Sequence, residues 1–422
     1  MRILYLYPEE WTGRRAREVH TLRTCVALAG AGASVHLLTA GGMDLPQELL
    51  RLGLTLAETA AASERLSSTA ISRRFGPLKS AWFFRRRFAP WLAQQQRGAQ
   101  PFDAAFIIHL KAAAMLNGSL TTLPYVFEAH EVFAETPAPG SASLREVEML
   151  ERRVLSEAAG VIATSQALAR ALSSRYFAAT KAPRFHIIAH GGAEPVELGS
   201  GNAGTGSAEG PFVYAGSLGD WKGLDIAMEA LLLLDAQSLT RATRLPELRI
   251  IGGNRDEWER LRDTVLSRLP GTVRAGAGER LHWHPRVAGA DLPQHLAGTR
   301  AGLIPTLPET GSGRYSCPMK LYDYARMGLP VVATDLPSLQ SLALDRGDAA
   351  SGGAPVWCIR VTEPSVAAWK AALLAVPAGE EAARCRPAIL AWARRNTWAQ
   401  RGLRLLAAME GMGVGRRSAA PS

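Results

Sequence analysis

Paired cysteines, long apolar runs and lysines are what this chain has least of. Its four cysteines, Cys25, Cys317, Cys358 and Cys385, form no Cys-x-x-Cys pair, which argues against a disulfide framework or a structural zinc site and points to a reducing compartment. No segment approaches the ~18 consecutive apolar residues of a membrane span. Met1 to Tyr7 is too short an apolar run for a signal peptide and is followed by Pro8, Glu9 and Glu10, so a soluble or peripheral cytoplasmic protein is expected. Lysine occurs only at positions 79, 111, 181, 222, 320 and 370, among 48 basic residues. A lysine at a motif position therefore stands out from the arginine background. The loop Pro8 to Arg17 holds a single glycine, Gly13, among Arg14, Arg15 and Arg17. It lacks Gly-x-Gly-x-x-Gly, which argues against a dinucleotide cofactor and for an acceptor or phosphate contact near Gly13 and Arg14.

What is present is an ordinary globular composition of 422 residues, 47% hydrophobic and 20% charged, long enough for two domains. A net charge of +10 and a pI near 9.8 favour acidic partners: nucleotide phosphates, nucleic acid or an anionic membrane. Nucleic acid is the weakest of the three, because no binding module or aromatic sheet platform is visible.

The order of apolar runs and amphipathic stretches describes two similar halves. Ile3 to Tyr7, Ser34 to Thr39, Asp103 to His109, Tyr125 to Glu128, Gly160 to Thr164 and Phe185 to Ala189 read as buried strands, with helices over Arg14 to Leu28 and Ser143 to Glu157. Residues 1–198 form the first domain. Gly199 to Gly210 is Gly/Ser-rich and reads as a flexible linker. The pattern then restarts over 211–386 with strands Phe212 to Ala215, Leu248 to Ile251, Leu281 to Trp283 and Ala301 to Ile304. A helical run over 387–410 follows, and 411–422 reads as a disordered basic tail. Such alternation predicts an α/β protein with two doubly wound, Rossmann-like domains rather than a barrel.

One stretch, Gly311-Ser-Gly-Arg-Tyr-Ser-Cys-Pro-Met-Lys320-Leu-Tyr-Asp323-Tyr-Ala-Arg-Met-Gly328-Leu-Pro330-Val-Val-Ala-Thr-Asp335, reads as a glycine-rich loop, a helix from Pro318 to Met327 and a buried strand. The free N–H groups at the helix start and the charge of Lys320 make an anion site, suited to a diphosphate.

Six segments in register resemble the retaining glycosyltransferases of family 4: Leu123-Pro-Tyr-Val-Phe-Glu-Ala-His130-Glu, Glu151 to Ser165, His186-Ile-Ile-Ala-His-Gly-Gly192, Tyr214-Ala-Gly-Ser-Leu-Gly-Asp-Trp-Lys222-Gly223, Ile250-Ile-Gly-Gly253 and the helix-loop-strand just described. The resemblance spans nearly the whole chain. It implies a GT-B fold, in which two Rossmann-like domains face each other across a cleft and a C-terminal helix crosses back to the first, with Trp392 and Trp398 as docking residues. It also implies a metal-independent transfer from a nucleotide-sugar co-substrate, without a further cofactor, to a saccharide or lipid-linked acceptor in bacterial surface polysaccharide or glycolipid assembly. Lys222 and Lys320 match residues that hold the donor diphosphate, and His130 matches the histidine that faces the sugar. Gly216, Gly223, Tyr315, Ser316, Met319 and Asp323 fall at donor-binding positions. His109 and His190 read as structural.

The chain departs from the family at Tyr315 and Asp323, where many members carry two glutamates. Asp323 can still accept bonds from ribose hydroxyls, whereas Tyr315 cannot be an anion at neutral pH. The departure keeps open a catalytically silent GT-B subunit, and the fold also serves other enzymes such as nucleotide-sugar epimerases. A last feature is Ser72 to Leu92, with Phe84, Phe88, Trp91 and Leu92 at helical spacing beside Arg85, Arg86 and Arg87. It reads either as an interfacial helix, with Arg85, Arg86, Arg87, Phe88 and Trp91 against an anionic membrane on the inner face of the plasma membrane, or as a core helix with a solvated basic face.

Overall fold

The computed structural model describes the chain apart from residues 14, 76–77, 118–122, 137–140, 179, 197–206, 208, 236–243, 310, 316, 341, 343–355 and 416–422. The chain divides into two compact units, Met1–His190 with Trp398–Ser422, and Gly191–Thr397.

The main sheet of the first unit carries seven strands: β1 (Arg2–Tyr7), β2 (Ser34–Thr39), β3 (Leu66–Ala70), β4 (Ala104–Ile107), β5 (Tyr125–Ala129), β6 (Gly160–Ala163) and β7 (Phe185–Ile187). They lie in the order β3-β2-β1-β4-β5-β6-β7, every neighbouring pair parallel. The central strand is apolar on both faces because helices cover both, and Ile3 to Tyr7 are fully buried. The Ala16–Gly30 helix starts on a capping box in which the Glu18 carboxylate accepts from the Arg15 and Thr12 amides. Against it lies the last helix, Trp398–Gly411. A side chain at Gly402 would meet the Ala27 carbonyl oxygen at 2.1 Å, so only glycine allows this close approach. Leu405 and Met409 of the same helix are fully buried in the core of this unit, each stabilising it by about 1.5–3 kcal/mol.

The second unit carries six: β8 (Phe212–Ala215), β9 (Leu248–Ile251), β10 (Leu281–His284), β11 (Gly302–Ile304), β12 (Val331–Thr334) and β13 (Cys358–Val361). Their order is β10-β9-β8-β11-β12-β13, again all parallel. In each sheet the strand order reverses beside the first strand of the unit, between β1 and β4 and between β8 and β11. Beyond the carboxyl ends of those strands is where a doubly wound sheet leaves a crevice for a ligand.

Several expected boundaries shift. The first unit ends at His190 rather than at 198, and most of the expected linker lies outside the described residues. The expected helix over 387–410 is two helices, Glu380–Arg395 and Trp398–Gly411; the first belongs to the second unit, and the chain rejoins the first unit at Trp398. Trp392 lies within the second unit. Its indole donates to the Leu342 carbonyl at 3.0 Å and packs on Tyr322 and Trp357. The expected tail is ordered at its start: Gly411 ends the last helix and Val414 is buried, while 416–422 lie outside the described residues. The stretch read as a glycine-rich loop is, over Gly311–Tyr315, a short helix.

Candidate functional site

At the switch point of the second sheet, the turn after β8 and the helix before β12 bring two lysines together. The Met319–Arg326 helix begins on Pro318, whose missing N–H costs nothing at that place. Lys320 stands in its first turn, and its Nζ lies 3.8 Å from the centroid of the Tyr214 ring on β8. The side chain as a whole is half-buried, but the Nζ atom is out of reach of solvent and has no hydrogen-bond partner among the described residues. Burial, with the nearby charge of Lys222 adding to it, pushes the Lys320 pKa well down. Lys222 ends a 3-10 turn, Asp220–Lys222. Its Nζ lies 3.4 Å from the Trp221 ring centroid, and burial brings its pKa from 10.5 down to about 8.

The glycines around these lysines are there for space. A side-chain carbon at Gly216 would meet Lys320 Cε at 2.3 Å, and one at Gly223, where φ is +61°, would meet the Pro305 carbonyl oxygen at 2.3 Å. Tyr324, on the buried face of the helix, accepts from the Ala215 amide at 2.9 Å and so pins the end of β8 to the helix. Asp323 is half-buried one turn beyond Lys320, Met319 is exposed, and Tyr315 is buried at the end of the preceding short helix. Ser316 lies outside the described residues. The second unit thus brings two lysines close enough to act on each other, and no carboxylate pairs with either among the described residues.

The first unit gathers a second cluster where β5 ends. His130 follows β5, and its Nε2 lies 2.9 Å from Glu128 Oε1. Glu128 is fully buried within β5, as is Arg401 of the last helix, whose Nη2 donates to the same oxygen at 2.5 Å. Arg401 also donates through Nε to the Ala189 carbonyl and through Nη1 to Thr24 Oγ1. Burial alone would push the Glu128 carboxyl up, but Arg401 above all, with the neighbouring imidazoles, holds it well below the ordinary carboxylate range. His20 and His190 pack edge-on against His130 at 4.6 and 5.4 Å between ring centroids. Burial pushes both down, His190 to about 3, so both rings are neutral.

His20, Glu128 and His190 each place one ligating atom within 4.8 Å of the other two. The donor set suits a transition metal in kind, yet the one negative charge is already matched by the Arg401 guanidinium. A divalent ion would add two positive charges beside a buried cation, which the charge balance disfavours, although both ring nitrogens of His20 and Nδ1 of His190 are buried without a hydrogen-bond partner among the described residues.

Around the first loop, Arg14 lies outside the described residues and Gly13 has φ of +68°. The neighbouring arginines are engaged: Arg15 pairs with Glu9 at 2.8 Å, and Arg17 bridges Glu131 at 3.5 Å and Glu9 at 3.9 Å. His109 packs edge-on against Tyr7. The basic aromatic segment is the Ala81–Arg97 helix, and its phase differs from the membrane expectation. Phe88 is buried at 1% exposure and stacks on Phe84. Trp91 is half-buried and stacks on His36. Phe84, Phe88 and Leu92 share the helix face that enters the domain, and Trp91 lies at its border. Arg85, Arg86 and Arg87 are exposed, but Arg87 is held by the Ser72 and Arg74 carbonyls. The exposed ring is Trp82, with the Arg86 guanidinium 5.1 Å from its centroid. It borders two shallow depressions of about 370 and 600 Å³, lined with Arg85 and Met115 on one side and with Phe83 and Pro90 on the other. Among the described residues no helix is long and apolar enough to cross a membrane.

Glu128, Arg401, Tyr214 and Tyr324 were not anticipated from sequence. A carboxylate inside an apolar strand was a signal for the first; nothing set Arg401 apart from the other arginines.

Residues 17–189 match the family model described as glycosyl transferase 4-like domain, and residues 210–376 the one described as glycosyl transferases group 1. No curated protein matches the chain. Among solved structures, it is similar to HepE of Anabaena in complex with UDP-glucose, over 97% of this chain and 100% of that one, with a TM-score of 0.62 at 15% identity. A glycosyltransferase from Rickettsia africae is similar over 98% and 99%, with a TM-score of 0.63 at 12% identity. So is WaaG, a glycosyltransferase involved in lipopolysaccharide biosynthesis, over 98% and 100%, with a TM-score of 0.57 at 14% identity. At these identities the likeness is one of fold, and that fold is GT-B.

Proposed function

From its membership of the family 4 type of glycosyltransferases, shown by two family models that together span most of the chain, we propose that this protein is a retaining, metal-independent transferase that moves a sugar from a nucleotide sugar to a saccharide or lipid-linked acceptor. The observation that carries the donor half of this reading is Lys320, a cation withdrawn from water with no counter-charge and with Lys222 adding to its cost. Such a pair is expensive in an empty site and becomes favourable when an anion of two or more charges arrives. A diphosphate fits, and the N–H groups at the start of the Met319–Arg326 helix add to its binding. As the sugar leaves, negative charge grows on the departing diphosphate, and the two lysines stabilise it where a metal ion would otherwise be needed. Gly216 and Gly223 keep the turn close to the phosphates, Asp323 accepts from the ribose, and His130 bonds a hydroxyl of the sugar.

The structural relative HepE is described with UDP and UDP-glucose, which makes a uridine nucleotide the first donor to test. WaaG is described as acting in lipopolysaccharide biosynthesis, and we place this chain in the same kind of chemistry, the assembly of bacterial surface polysaccharide or glycolipid. The exposed Trp82, Arg85 and Arg86 support a peripheral position on the inner, anionic face of the plasma membrane. A second reading, a silent subunit that binds a nucleotide sugar without turning it over, is favoured by one observation: Tyr315, in place of a glutamate, is buried.

Calorimetric titration with UDP, GDP, CDP and ADP, followed by incubation with the matching nucleotide sugars, tests the proposal. Binding of one nucleotide that Lys222→Ala abolishes, with release of that nucleotide from its sugar, is the expected result. Binding without release supports the silent subunit, and no binding by any of the four overturns the donor site.

A further inference from the structure

Resting on the role given above to His130, we infer that Arg401 and Glu128 are positioning residues that fix His130 as the Nε2–H tautomer, so that it meets its substrate only through Nδ1, as a hydrogen-bond acceptor.

The argument starts from charge. An arginine stays protonated at any pH the fold survives, and Arg401 is fully buried with its Nε, Nη1 and Nη2 all donating within the first unit. A buried guanidinium needs a buried anion, and Glu128 is the carboxylate it touches. An ionised carboxylate can only accept. The 2.9 Å contact between Glu128 Oε1 and His130 Nε2 therefore requires the hydrogen on Nε2. In the neutral ring this leaves Nδ1 bare. Nδ1 is not among the buried orphan atoms, and His130 makes no other hydrogen bond among the described residues, so its lone pair is open to a ligand. His20 and His190, edge-on at 82° and 79° to the His130 ring, restrict its rotation.

The consequence is a choice of substrate group. A bare Nδ1 bonds to an O–H donor and repels a phosphate oxygen, so His130 selects a hydroxyl of the sugar rather than a phosphate. The arrangement also gives the last helix a role in the site beyond packing, since the residue that holds Glu128 ionised comes from it.

The test is the tautomer itself, read from long-range proton–nitrogen correlations of the full-length protein labelled with 15N at histidine, with His130→Gln to assign the ring. The free wild-type protein is expected to show Nε2–H at neutral pH; an Nδ1–H ring or an imidazolium overturns the inference. In the double variant Glu128→Met with Arg401→Met, which removes the acceptor and its counter-charge together and leaves no buried charge unpaired, nothing accepts from Nε2 and the ring is expected to populate Nδ1–H as well. With it, kcat for sugar transfer should fall about 100- to 10,000-fold, the range seen when an orienting carboxylate is lost, while nucleotide affinity stays within about twofold. Glu128→Asp keeps the charge and should hold the tautomer and recover part of kcat, which a purely structural role would not separate from the double variant. If the double variant does not fold, the wild-type spectrum and Glu128→Asp decide. An Nε2–H ring with unchanged kcat in the folded double variant overturns the catalytic part. An Nε2–H ring in a protein that transfers no sugar leaves the positioning intact and removes the transferase reading instead.

Discussion

The ammonium of Lys320 rests 3.8 Å from the centroid of the Tyr214 ring, with no hydrogen-bond partner among the described residues. A cation over an aromatic face recovers only part of the hydration it has given up. Burial therefore works against the charged amine until an anion arrives, and an unpaired polar group at this place costs the free protein stability.

That cost predicts a trade between stability and binding. Lys320→Met keeps the length of the side chain and its contact with Tyr214 while removing the charge. The free variant should be more stable by about 1–3 kcal/mol, the order of an unsatisfied buried polar group. Its affinity for a nucleoside diphosphate should fall about 10- to 150-fold, by the 1.5–3 kcal/mol of a charge-assisted bond. Melting curves with and without nucleotide check both; a variant that is less stable and still binds would show that Lys320 is structural.

A pH dependence follows from Lys222. Its pKa in the free protein is about 8, against an ordinary 10.5, so the folded state prefers the neutral amine more than the unfolded chain does. Between these values the unfolded chain binds more protons, and stability of the free protein should rise with pH from about 8 towards 10.5, being lowest below 8. A bound diphosphate reverses the preference. Binding above pH 8 should take up a proton, and affinity should decline as pH climbs past 8. Calorimetry in buffers of different ionisation enthalpy measures the uptake; no uptake would mean Lys222 does not meet the phosphates.

Two glycines separate space for the ligand from space for the fold. At Gly216 the obstacle to a methyl group is the flexible end of Lys320, 2.3 Å away. Gly216→Ala, strained as well by a φ of +158°, should lose some stability and in addition bind nucleotide at least about tenfold more weakly, because Lys320 is pushed aside. At Gly223 the obstacle is the Pro305 carbonyl, and φ is +61°. Gly223→Ala should lose about 1–3 kcal/mol of stability. Equal behaviour of the two variants in melting and titration would contradict this division.

The lysine half of the site was legible in the sequence because its parts are close together along the chain and lysine is rare in it. The histidine half was legible only at His130. Its support comes from Glu128 and Arg401, which stand 273 positions apart, and no local pattern links a strand carboxylate to one arginine among many. The alternation of strands and helices displayed both sheets, but Leu66–Ala70, with Ser67, Ser68 and Thr69, has none of the apolar run that marks an inner strand, and it forms the sheet edge. Gly311–Tyr315 is helical against the propensity of its glycines. The basic aromatic helix shows a deeper limit. Spacing places Phe84, Phe88 and Leu92 on one face, and the same spacing describes a stripe for a core or for a membrane. Only the packing of the domain decides, and it takes that face inward.

The membrane surface, if it is engaged, must then be met by the opposite face, through Trp82, Arg85 and Arg86. Each basic side chain near an anionic surface contributes about 1 kcal/mol, so Arg85→Ser with Arg86→Ser should weaken binding to phosphatidylglycerol-rich vesicles about 30-fold, and Trp82→Ser should weaken it further. Arg87 is left intact because its bonds to the Ser72 and Arg74 carbonyls hold the preceding segment. Phe88→Ala serves as the contrast: it should cost about 3–5 kcal/mol of stability and, where the protein remains folded, leave vesicle binding unchanged. Flotation with vesicles of neutral and of anionic lipid reads both effects. Equal flotation of the double arginine variant and the wild type would remove the membrane from the proposal and leave the acceptor to be sought among soluble saccharides.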